Sequence, residues 1–132
     1  MGESIDDEEA FYLEYDWFIG HVKSLAMNPE DCSNDQGNFN VAHELWYFLT
    51  RAEQMIQDPI KVLTKEQRFA VVELVRIVEA VPESARGWTT VAQMSIENMR
   101  HEAWNNARSQ AKKVLQVLSP IAALRDKFFA GN

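Results

Sequence analysis

Residues 64–80 read TKEQRFAVVELVRIVEA, and whether this stretch is a strand or a helix decides the fold. Its valines suit a buried strand, but Arg68, Glu73, Arg76 and Glu79 fall at helical rather than alternating spacing. No partner strand is evident elsewhere in the chain. Thr64 followed three residues later by Gln67 is a capping box, in which each side chain satisfies the other's backbone N–H. Phe69, Val72 and Val75 lie on one side, and Ala70, Leu74, Ile77, Val78 and Val81 on the other. The narrow polar strip left between them predicts a central helix over 64–80.

Working back from there, Asp58-Pro59 closes a helix over 40–57, with Ala42, Leu45, Leu49, Ala52 and Ile56 on one stripe. Val41, Trp46, Phe48 and Met55 widen that stripe. Residues 28–38 are loop chemistry, Asn, Pro, Asp, Ser and Gly around Cys32. Before them, Phe11, Tyr15, Phe18, Val22 and Leu25 recur every three or four positions and predict an amphipathic helix over 6–27, ended by Asn28-Pro29.

Working forward, 82–89 is a connection containing Arg86-Gly87-Trp88. Thr89 or Thr90 caps a long helix over 90–118, whose seam is Ile96, Met99, Ala103, Ala107, Ala111, Val114 and Leu118. Alanines spaced by four let another helix approach closely, because little side chain separates the axes. Ser119 then caps a last helix over 120–129, with Pro120 in its first position. The expectation is an all-α, single-domain bundle of about five helices spanning 1–132.

The lone Cys32 allows no internal disulfide, and the acids at 3, 6, 7, 8 and 9 stand where a signal peptide carries bases, so a cytoplasmic protein is expected. No apolar run is long enough to span a membrane. The net charge of −7 is unevenly placed: residues 1–59 carry −11 and residues 60–132 carry +4. An acidic half repels nucleic acid and anionic membrane and attracts a basic protein, unless the two halves neutralise each other within the fold.

Catalytic signatures are sparse. His43-Glu44 and His101-Glu102 each lack the second histidine of a zinc-protease helix. Those four residues could still converge as a metal site in a bundle, although the Glu-x-x-His pattern of di-metal bundles is missing. The oxygen-rich run from Asp31 to Gly37 departs from a calcium loop, with Gly37 one place late and Ala42 where a glutamate belongs. An acidic setting raises rather than lowers a thiol pKa, which argues against Cys32 as a nucleophile. Arg100, Trp104, Arg108 and Lys112, spaced by four, form a basic ridge that could track phosphates or simply receive the acids of the first two helices. No cofactor is implied.

The sharper signal is Leu13, Trp17 and Gly20, a second stripe nearly opposite the core stripe of the first helix. Either that helix is sandwiched, or Trp17 is an anchor for a partner. The second reading makes the chain a small acidic protein-binding module, most concretely an immunity-type inhibitor that occludes a basic toxin or enzyme. Glu9, Leu13, Glu14, Asp16, Trp17, Glu30, Asp31 and Asp35 are then the contact surface. Two rivals remain: a homo-oligomeric structural subunit joined through Leu13 and Trp17 or the alanine seam, and a helical metal protein using His43, Glu44, His101 and Glu102.

Overall fold

The computed structural model describes residues 3–36, 40–89 and 91–131, and within them the chain is all-helical, with eight α-helices and no strand. They are α1 (Glu3–Ala26), α2 (Pro29–Gln36), α3 (Val41–Leu49), α4 (Glu53–Gln57), α5 (Lys65–Glu79), α6 (Ala92–Arg100), α7 (Ala103–Val117) and α8 (Ser119–Ala130). A 3₁₀ turn, Glu83–Ala85, follows α5. The helix count exceeds the five expected because two long helices are each broken in two and a loop is helical.

α5 forms as its sequence dictates, with both halves of the Thr64 and Gln67 capping box in place. Ala70, Val71, Leu74, Val75 and Val78 are buried. The expectation that this helix is enclosed needs correction, since Phe69 is 70% exposed and Val72 also faces solvent. α5 packs along α7, which in turn packs on α1. The alanine seam serves this contact: Ala107 and Ala111 are fully buried. Close axes let Gln110 Nε2 donate to the Ala70 carbonyl and Gln67 Nε2 to the Val117 carbonyl, both at 3.1 Å.

Residues 29–36 are α2, not loop. Asn28 Oδ1 accepts from Asp31 N at 2.9 Å, while Asn28 Nδ2 donates to the Asp31 carboxylate. Pro29 then occupies the first helical position, where its missing N–H costs nothing. Cys32 points inward and is fully buried. The calcium-like run is therefore part of a helix, apart from Gly37, which lies outside the described residues.

The expected 40–57 helix stops at Leu49 and restarts at Glu53. Thr50 Oγ1 donates to the Trp46 carbonyl at 2.7 Å and Arg51 Nη1 to the Tyr47 carbonyl at 3.1 Å, satisfying the last turn of α3 from the side. Ala52 has no side chain to cap α4, and the acceptor comes from α1: Glu14 Oε2 takes the N–H of Met55 at 2.8 Å. α4 ends at Asp58, whose φ of 46° is left-handed and whose buried carboxylate accepts from Val62 N and Leu63 N, each at 2.8 Å.

The expected 90–118 helix breaks at His101, whose ψ of 138° leaves the helical region. Its Nδ1 accepts from Ala103 N at 3.0 Å, so a histidine caps α7. The break turns Trp104 into the core, fully buried, with its indole N–H on the Ala85 carbonyl at 2.8 Å. Trp104 is therefore not open to stacking, and of the ridge expected at 100, 104, 108 and 112, Arg100 pairs with Glu30 while Arg108 donates to the Met27 and Met99 carbonyls. At the start of α6 the N-cap is Val91, with no side-chain cap; Thr89 Oγ1 accepts from Val91 N instead, and Thr90 lies outside the described residues. Likewise Ser119 is the first residue of α8 and makes no cap bond, because Leu118 both ends α7 and precedes α8.

Candidate functional site

α3 carries the sequence VAHELWYFL, apolar on nearly every side. Val41, Ala42, Leu45 and Leu49 turn inward and are buried. Tyr47 is exposed and His43, Trp46 and Phe48 are half-buried, Trp46 still packed against the core, and the spacing of three and four between His43, Trp46 and Tyr47 places them on one face.

Neighbouring elements extend this face into a continuous aromatic strip. From α1, Trp17 meets Phe48 edge-on with ring centroids 4.8 Å apart, and His21 lies against both, at 4.8 Å from Trp17 and 5.3 Å from Phe48. His21 Nδ1 donates to the Trp17 carbonyl at 2.8 Å. Phe48 contacts Tyr47 at 5.2 Å, Tyr47 stacks on His43 at 6.2 Å, and His43 lies 4.8 Å from Trp88. Trp88 is brought there by its connection: Asn40 Oδ1 accepts from Thr89 N at 2.8 Å, and Asn98 Nδ2 holds the Gly87 carbonyl at 3.1 Å. Trp17, Tyr47 and Trp88 are 38%, 42% and 72% exposed, and Leu13, one turn before Trp17, is 53% exposed.

Two guanidiniums lie on this strip. Arg51 sits 4.0 Å over the Tyr47 ring and 5.4 Å from the Trp46 centroid. Arg86 sits 4.0 Å over Trp46, fixed by donation from its Nε to the Val81 carbonyl at 3.1 Å. Trp46, Thr50, Arg51 and Glu79 line a shallow cleft of about 390 Å³ beside them.

The residues expected to form a contact surface divide into two groups. Leu13 and Trp17 are exposed and continue the aromatic strip, and Glu9 is exposed on the same helix. Most of the acids are engaged within the fold. Glu14 caps α4, and burial pushes its carboxyl above the usual range despite the N–H donors of Met55 and Gln54. Asp16 is held by Arg125 at 2.9 Å, Asp31 by Asn28, and Asp35 by the Ser24 hydroxyl. Glu30 pairs with Arg100 at 2.7 Å, and that guanidinium holds its carboxyl below the usual range.

The His-Glu residues are not brought together. His43 is packed in the strip, His101 caps α7, and Glu102 is the residue that precedes α7. Among the described residues no three His, Cys, Asp or Glu side chains group as metal ligands. The Cys32 thiol is pushed up to about 12, chiefly by burial, with Asp35 adding to the rise and Arg108 opposing it.

Sequence reasoning missed the strip's centre. Trp46 does broaden the core stripe as expected while its ring also meets the strip, whereas Phe48, expected beside it, meets Trp17, and Tyr47 carries no role in the sequence reading. The spacing of His43, Trp46 and Tyr47, opposite Val41, Leu45 and Leu49, was the available signal. No protein-family model matches this chain, and no curated protein and no solved structure shows significant similarity to it.

Proposed function

We propose that this chain is a small cytoplasmic protein-binding module whose interface is the aromatic strip over α1, α3 and Trp88. The observation that carries the reading is the run of ring contacts from Trp17 to Trp88 with three of its members exposed. Rings preorganised by one another lose little freedom on binding, and tryptophan and tyrosine dominate the energetics of interfaces. The partner is a basic protein, steered by the net charge of −7. An immunity-type inhibitor of a basic toxin or enzyme is the most concrete member of this class.

The acids weigh less in this reading than aromatics do. Glu14, Asp16, Glu30, Asp31 and Asp35 already have partners inside the fold, so they contribute to long-range attraction rather than to contact.

The test is capture from an extract of the source organism at low salt, with intact chain and a Tyr47→Ala, Trp88→Ala double variant shown by circular dichroism to be folded. The expected result is a basic protein recovered by the first and lost by the second. Each aromatic contributes about 2 kcal/mol, roughly 30-fold in affinity. A partner retained equally by both forms overturns the assignment of the interface. An intact chain that sediments as a dimer, with the variant a monomer, replaces the basic partner by a second copy.

A further inference from the structure

The chain has seven arginines. Arg76, Arg100 and Arg125 pair with Glu73, Glu30 and Asp16. Arg108 is spent on the Met27 and Met99 carbonyls, and Arg68 Nε on the Ile56 carbonyl. Arg51 and Arg86, which like Arg68 and Arg108 meet no carboxylate among the described residues, differ in lying on the rings of the aromatic strip.

Their remaining capacity is for donation alone. Arg86 uses Nε on Val81, leaving both Nη groups, and Arg51 uses Nη1 on Tyr47 and Thr50, leaving Nε and Nη2. The covered indole N–H of Trp46 also has no acceptor among the described residues. A guanidinium held over a ring keeps its unused N–H groups available, and two of them match the two oxygens of a carboxylate. The two guanidiniums share the Trp46 ring, at 5.4 Å and 4.0 Å from its centroid, and Glu79, which borders the cleft beside Arg51, forms no ion pair among the described residues.

Resting on the interface reading above, we propose that the centre of the strip is a carboxylate seat. Arg51 and Arg86 receive an aspartate or glutamate side chain of the bound protein, and an adjacent aromatic or aliphatic residue of that protein lies on Tyr47 and Trp88. A partner that is basic overall and acidic at this one point is consistent, because steering acts over a Debye length and the pair acts at contact.

The experiment is a titration of the full isotope-labelled chain with sodium benzoate and, in parallel, with benzamide, read at the arginine Nε–H and tryptophan Nε1–H resonances. Benzoate is expected to give saturating shifts at Arg51, Arg86 and Trp46 and to bind about tenfold tighter than its neutral analogue. Arg51→Ala removes most of that preference, and Arg51→Lys, which keeps the charge but not the fork, restores only part of it. Equal binding of benzoate and benzamide overturns the seat, as do benzoate shifts centred on Arg68 or unchanged in Arg51→Ala. If the seat fails while the double aromatic variant still loses its partner, the interface reading stands without it. If benzoate binds as expected but the partner ignores Tyr47 and Trp88, the anion site stands and its assignment to a protein carboxylate is overturned.

Discussion

A thiol is reactive through its thiolate, and Cys32 is denied that form by full burial in the first turn of α2. With its pKa pushed up to about 12, Cys32 in the folded chain is expected to resist a thiol reagent at pH 8, and to react fully once urea unfolds the protein. Fast labelling of the native form would show that α2 opens locally. Glu14 gives a second test with a definite sign. Burial, the larger influence, raises its folded-state pKa, so folding favours its protonated form. The stabilisation linked to that proton is full below the unfolded value and lost as pH rises through the folded one. Relative to Glu14→Gln, which does not titrate, the intact chain therefore gains stability on acidification across the carboxylate range. Urea melts at neutral and acid pH check this; the opposite slope would mean that the N–H bonds from Met55 and Gln54 outweigh burial.

At the scale of elements, α4 is too short to persist by itself and depends on carboxylates at both ends. Glu14 holds its start, and Asp58 turns the chain at its finish while accepting two N–H groups. Asp58→Ala removes both bonds and puts a methyl side chain in a left-handed conformation, so a loss of about 3 kcal/mol is expected. Asp58→Asn keeps an acceptor and tolerates that conformation, and the two denaturation midpoints should differ accordingly. The same dependence explains what the sequence could disclose. α5 was legible because its signals are local, a capping box and a helical charge spacing. α2 was legible in principle, since Asn28-Pro29 is a helix start, but its polar composition reads as loop. The breaks at 50–52 and 101–102 were not legible. One is completed by Glu14 on a distant helix, and the other by a histidine turning back on its own backbone. Spacing likewise shows that α3 is apolar all round, but not that Tyr47, with His43 beside it, is the side left open.

At the scale of the molecule, the division of charge and the division of the core do not coincide with separable parts. The −11 of residues 1–59 faces the +4 of residues 60–132 through pairs such as Asp16 with Arg125 and Glu30 with Arg100. These pairs are solvent-exposed, where screening and the entropy of holding two side chains offset most of the attraction, so charge alone does not hold the halves together. The shared interior does. Phe11, Phe18 and Val22 of α1 belong to the same buried cluster as Trp104, Ala107 and Val114 of α7, and Arg108 donates to the carbonyls of Met27, just past α1, and Met99, near the end of α6. A cut at 59/60 divides that cluster between the two halves. Fragments 1–59 and 60–132, made separately, are therefore expected to lack a cooperative thermal transition by circular dichroism and to regain the near-ultraviolet signature of the intact chain on mixing. Their opposite charges should speed that association at low salt and slow it as salt rises. A cooperative melt of either fragment alone would divide the core in two. Salt-independent association would mean that the charge asymmetry is directed outward, at a partner, rather than spent between the halves.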